Sequence, residues 1–386
     1  MPSPRTLLDD LRARAHDAGL EVGVSASLAF TQWREAVEDR PEYAPYRYMA
    51  QEYDARRLLP EARSLVAVAY DYGRKGVPSP LRGHVARLYF TGVHLGYPKS
   101  QAVRAFESGL AARGWGMVPF SQAVRPAAIA AGLVHQRVNC LAYRPRGASL
   151  VSLHAWAVDA EIEPTEPLAQ ASCGECSRCV EACPTGAILE PYHLDPRRCL
   201  DFLATRGGRL PLELRSRMGG WILGCDACQE ACPHNRHVAW VAPEPGLEEA
   251  SQNFHPATLL LSTPREFDLE YKDLLAGRLG HREARRNAAV ALGNLGAWLS
   301  GRVPVWDELG HAEPAFAGAS QTLDTGALVS VLGKALEDPE PLVRSHVAWA
   351  LGQVGSPKAL SLLEAHTSKE QDVSVLDEVR WALQGA

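Results

Sequence analysis

The chain has 386 residues, a net charge of −5 and 22% charged residues, enough for two or three domains with cores of their own. That balance excludes a bulk polycation built for nucleic acid, and no run of eighteen apolar residues suggests a membrane span. The opening MPSPRTLLDDLRARAHDAGLEVG holds no apolar core of signal-peptide length and no twin arginine, so a cytoplasmic protein is expected.

Residues 1 to about 165 read as a mixed α/β domain in a chain whose overall class is α+β. Helical patterns occur near 4–18, 98–114 and 121–131. The β-branched stretches SLVAVAYDY (64–72) and VARLYFTG (85–92) predict strands, and residues 133–160 predict a hairpin about RPRG (144–147). No GxGxxG fingerprint or P-loop is present, so a nucleotide cofactor has no visible site.

Eight of the nine cysteines then fall within residues 173–232. In a reducing compartment, clustered thiols read as metal ligands and not as disulfides. Cys173, Cys176, Cys179 and Cys183-Pro184 follow the bacterial ferredoxin spacing, in which the fourth cysteine reaches a second cluster. Cys199, Cys225, Cys228 and Cys232-Pro233 form the partner half, with a long insertion after Cys199. Two [4Fe–4S] clusters are expected. Crossed ligation gives one cluster Cys173, Cys176, Cys179 and Cys232, and the other Cys183, Cys199, Cys225 and Cys228. The alternative is a pair of structural zinc sites, which usually take two C-x2-C pairs and not a run of four ending in Cys-Pro. This module occupies 166–240. The ninth cysteine, Cys140, sits in a predicted strand and reads as a small buried residue.

Residues 241–386 repeat. HREARRNAAVALGNLG (281–296) matches EPLVRSHVAWALGQVG (340–355), pairing Arg285 with Arg344, and VRWALQG (379–385) echoes the same pattern. Helical-pair units of the HEAT kind fit, with the 59-residue offset of the first two copies counted as two units. Arg278, His281, Arg282, Arg285 and Arg286 form a basic run that could meet phosphate or simply face solvent.

The order of these parts, with CGECSRCVEACPTGAI, DPRRCLDFL, GCDACQEACPHN and RRNAAVALGN, resembles the epoxyqueuosine reductase family, itself related to reductive dehalogenases. The resemblance implies a cobalamin between the first domain and the clusters, reduction of epoxyqueuosine to queuosine in tRNA, and repeats that hold the anticodon arm. An electron donor such as a ferredoxin or flavodoxin is implied as well.

The resemblance also marks departures. Aligning the family's arginine with Arg125 puts Val118 where its catalytic aspartate belongs, and the GWIGK stretch has become Val134 to Val138. Arg87, Tyr97 and Asn139 match cofactor-side positions, as does Lys99. The proton donor expected here is His135, ahead of His94, Tyr89 and Tyr97. Two further readings stand beside the family activity: a related cobalamin and iron–sulfur reductase of a small or halogenated substrate, and a non-catalytic electron-transfer protein.

Overall fold

A computed structural model describes residues 3–91, 98–145, 147–169, 171–243, 246–302 and 323–385. The first region is built on a four-stranded antiparallel sheet. Its strands are β1 (Glu21–Ser25), β2 (Ser64–Asp71), β3 (Met117–Pro119) and β4 (Val151–Val158), in spatial order β1-β2-β4-β3. β2 is central and apolar on both faces, so its residues divide by parity. Val66 and Val68 pack with Trp156 and Val158 against helices α1 (Pro4–Asp17) and α2 (Pro98–Ala111). Leu65, Ala67 and Ala69 face the other way, onto helix α3 (Val124–Ala130) and Phe120. α1 starts at Ser3, whose hydroxyl accepts from the Thr6 amide, and buries Leu8, Leu11 and Ala15.

Two expected elements are corrected. The described residues 85–91 form no strand: Val85 makes one bridge to Leu223, and Arg87–Thr91 coils as a 3-10 turn. The 133–160 hairpin is absent too, because β4 pairs with β2 and β3, while Ala142–Tyr143 pairs only with His135–Gln136. The three helices of this region are present. His94 and Tyr97 lie outside the described residues, as does the Lys99 side chain.

The repeat region stacks α4 (His281–Leu299), α5 (Thr325–Ala335), α6 (Pro341–Val354), α7 (Pro357–Thr367) and α8 (Val373–Gln384). α4 packs directly on α6, and α6 on α8. A Cβ on Gly293 would stand 2.6 Å from the Trp349 ring, and one on Gly352 would stand 2.7 Å from the Ala382 Cβ. The repeated Ala-Leu-Gly is therefore a close-approach seam between adjacent helices. The offset of 59 thus joins direct neighbours, and the expectation of two units between them is corrected. Among the described residues no helix is long and apolar enough to cross a membrane.

Candidate functional site

The eight clustered cysteines sit on short turns that side chains of all three regions hold in place. Gly224, at φ +73°, lies so close to Ala86 and Tyr89 that a Cβ would fall 2.6 Å from one and 2.7 Å from the other. This lets the chain enter Cys225 tight against the first region. Arg198 caps the turn after Cys183, giving Nε and Nη2 to the Thr185 carbonyl at 2.9 and 2.7 Å. Gln229 and Asn235 of the second cysteine run both grip Ser149, where β4 begins. The polar letters of those motifs are joints between regions.

The thiols fall into two groups. Burial, then the Cys232 sulfur, pushes the Cys179 thiol up to about 11, and Cys173 and Cys176 add to it. Burial raises Cys228 far above the ordinary thiol range, with Cys199 and Cys183 its nearest sulfur neighbours in effect. Cys225 is raised by burial and then by Cys228 and Cys199, and Cys199 reaches about 12 through burial and Asp201, with Cys183 contributing. Cys179 also acts on Cys228, so the two groups adjoin. Crowded buried thiols of this kind ionise only around something positive, which fits the iron of a cluster. Among the described residues no three His, Cys, Asp or Glu gather closely enough for a single metal ion.

The seam between the cysteine module and the repeats is polar and closed. Arg286 is fully buried, and its guanidinium donates to the carbonyls of Leu203, Ala204, Arg206 and Gly208. Asn287 donates to Ala204 and Ile222, and Asn294 to Arg215 and Gly219. His346 accepts from the Leu210 amide while its Nδ1 bonds the Leu342 carbonyl. Arg215 and Glu378 pair at 2.9 Å, both nearly sealed. All these groups grip the insertion between Cys199 and Cys225. This corrects the phosphate reading for two arginines: Arg286 caps buried carbonyls, and Arg285 is buried against Asp338. His281 bonds the Ser262 carbonyl. Arg278 and Arg282 are exposed, with Arg282 paired to Glu283.

The seam between the first region and the cysteine module differs. Two residues expected at a cofactor are engaged with protein. Arg87 reaches Asp226 and Glu230, beside Cys225 and Cys228. Asn139 donates to the Tyr143 hydroxyl at 2.9 Å and accepts from Leu141. Both side chains are thus braced by protein at the positions where cofactor contact is expected. Tyr89 bonds Asp201 at 2.5 Å. Val118 lies on β3 opposite Ala157, with no carboxyl at that position. His135 is buried on a short strand opposite Tyr143. Neither of its ring nitrogens makes a well-formed hydrogen bond, though the Ala169 backbone lies near enough to oppose the fall; burial, then Arg137, lowers its pKa, so the ring is neutral at pH 7.

The sequence reading passed over one segment. Pro41–Tyr53 carries Tyr43, Tyr46, Tyr48 and Tyr53, a local excess of tyrosine that was legible as a signal. Tyr43 lies within the field of Cys140, Arg40 and Arg125, and Tyr46 within that of Cys199 and Asp201, its ring 5.1 Å from Phe202. Cys140 holds φ +62°, a conformation non-glycine residues rarely adopt, and its thiol is raised by burial. The side chains of Arg40 and Arg125 make no hydrogen bond or ion pair among the described residues. Aromatic faces, one of them near Cys199, and cations beside Tyr43 and Cys140 fit, in kind, a planar cofactor fringed with amides and phosphate.

Two family profiles match: the 4Fe-4S double cluster binding domain over 172–235, and HEAT repeats over 315–384. Residues 172–235 are thus a double [4Fe–4S] module. Among characterised relatives, the epoxyqueuosine reductase of Bacillus subtilis (strain 168) is 31% identical over 251 residues, 64% of this chain and 57% of its own. That of Escherichia coli (strain K12) is 33% identical over 249 residues, 64% and 58%. That of Staphylococcus aureus (strain NCTC 8325 / PS 47) is 28% identical over 333 residues, 83% and 80%. The chain thus spans less than two thirds of the first two. A solved structure of the Bacillus subtilis reductase shares the fold at TM-score 0.79 and 23% identity, covering 99% of each chain. One with a tRNA-Tyr epoxyqueuosine-modified stem loop gives 0.77 and 23%, again over 99% of each chain.

Proposed function

We propose, from the premise that this chain belongs to the epoxyqueuosine reductase family, that it removes the epoxide oxygen of epoxyqueuosine in tRNA, using cobalamin and two iron–sulfur clusters. In this reading residues 1–165 hold cobalamin and substrate, 166–240 the clusters, and 241–386 the helical repeats. The observation that carries it is the convergence of Cys199, Tyr46, Tyr43, Arg40 and Arg125 at one seam, with the two cysteine groups behind it.

Cys173, Cys176, Cys179 and Cys232 ligate one cluster, and Cys183, Cys199, Cys225 and Cys228 the other. The loop bearing Ser172, Gly174, Glu175, Ser177 and Arg178 is exposed, which suits docking of a ferredoxin or flavodoxin. Cobalamin, when bound, turns single electrons into a two-electron reductant. Arg125 and Arg40 hold polar groups at the seam, and Tyr43 and Tyr46 exclude water from it. Opening the epoxide to an alkene takes two electrons and two protons and releases water. His135 is the proposed proton donor, acting as a neutral imidazole whose N–H makes no well-formed hydrogen bond to protein. Arg278 and Arg282 are the repeat cations left to face tRNA phosphate.

The test is single turnover of the anaerobically reconstituted full chain on an epoxyqueuosine stem loop under strong reductant. Loss of one oxygen mass from the RNA is expected, and a His135→Gln variant should keep both cofactors and lose turnover. If the loaded wild-type protein leaves the RNA unchanged, the altered pocket around Val118 belongs to a reductase of another substrate.

A further inference from the structure

Trp240 is 61% exposed, yet it is not loosely held. Trp240–Val241 pairs in parallel with Arg74–Lys75. The Arg74 guanidinium carbon lies 4.3 Å from the indole centroid, and that of Arg87 5.3 Å. Arg74 is fixed by Glu230 at 2.9 Å. Arg87 is fixed by Glu230 as well, and by Asp226, to which its backbone amide also donates at 3.0 Å. Asp226 stands between Cys225 and Cys228. An exposed indole is thus braced one side chain away from a cysteine loop.

We propose that Trp240 is a stacking platform for an unpaired RNA base beside the second cysteine loop. The inference rests on the tRNA reading above and names the surface that would receive a loop nucleotide next to the modified one. An aromatic face backed by guanidinium is the group that splayed RNA bases stack upon. Two arginines and two carboxylates cancel locally, so the patch offers no net charge for phosphate. What it offers is a flat, polarised ring whose supports are already ordered, so stacking costs little conformational entropy. Base contact, and not backbone contact, is what such a surface can supply.

The test uses the cluster-loaded full chain and an unmodified tRNA-Tyr stem loop. Trp240→Ala should weaken binding by roughly 5- to 150-fold, the range for loss of one base–aromatic stack. The slope of log affinity against log salt should not change, because no phosphate contact is removed. Trp240→Tyr should bind within a few fold of wild type. If the alanine variant loses iron, Trp240→Leu decides instead, since it fills space without a ring and must bind as weakly. Equal RNA affinity of wild type and variant overturns the proposal. So does a variant that keeps RNA affinity but accepts electrons slowly from an added ferredoxin, which would make the patch a protein dock. A wild-type protein that binds no stem loop sinks the tRNA reading and this inference with it.

Discussion

The cysteine module has two seams, and they are finished differently. Against the repeats, Arg286, Asn287, Asn294 and His346 give their hydrogen-bonding groups to backbone of the 200–224 insertion. Against the first region, the side chains of Arg40 and Arg125 are uncommitted and the His135 nitrogens make no well-formed hydrogen bond. The interface with the repeats is densely bonded, with Asn294 Oδ1 left over, and it fixes geometry because each bond lost leaves a buried partner unsatisfied. The second seam, with side-chain cations and an imidazole not held by protein, keeps capacity for a ligand. One seam is structural, and the other is where chemistry can be done.

The sharpest way to break that contrast is Arg286→Met. It removes the donor from four carbonyls and leaves that of Leu203 buried without one, a loss of about 1–3 kcal/mol for that group alone. We expect poor accumulation, a large fall in thermal midpoint, and iron well below the eight atoms or so of the wild type. Normal iron and stability would show that the clamp is dispensable. Gly293→Ala comes next, since its Cβ would meet the Trp349 ring and overpacking costs about 1–3 kcal/mol. Denaturant unfolding reads this directly, and half-buried Gly147, where a Cβ would meet only Arg144 at 3.8 Å, serves as control.

His346 gives a pH prediction. Burial, then Arg215, holds its ring well below the ordinary histidine pKa of 6.5. The unfolded chain therefore binds a proton first, so this contribution is complete above about pH 6.5 and lost as pH falls below it. His346→Gln keeps an acceptor for Leu210 and should flatten the stability loss between pH 6.5 and 5. An unchanged profile would exclude His346 as its source. The smallest stability effect belongs to the open seam: Arg125→Met should shift stability by about 0.5 kcal/mol at most, while turnover of the stem loop collapses. A thermal shift as large as that of Arg286→Met would erase the distinction between the seams.

Legibility in the sequence follows the same divide. Cysteine spacing is local chemistry, so the double-cluster module could be read directly, and Ala-Leu-Gly marked the repeats. Pairing of β4 with β2 joins residues far apart in the chain, as in Ala67 with Ala155, and no local pattern announces it. VARLYFTG is apolar and β-branched at its start, yet Arg87 is drawn to Asp226 and the segment coils. Arg285 and Arg286 read as surface cations because composition cannot distinguish a phosphate contact from a carbonyl cap. Val118 stood out in the alignment, whereas Tyr43 and Tyr46 did not, since their partners come from distant elements.

The insertion between Cys199 and Cys225 also bears on the order of assembly. Its ends, at Leu203–Ala204 and Ile222, are drawn together by Arg286 and Asn287 of α4. Cys199 and Cys225, proposed ligands of one cluster, thus flank a loop whose ends are held by a helix made later in synthesis. Closing that loop without the helix would cost chain entropy with no compensating contacts. On the ribosome, the cysteines emerge well before His281–Leu299 does, and domains form in the order they emerge. If those cysteines share a cluster as proposed, its completion waits for the repeats, and iron enters a chain that is already largely translated.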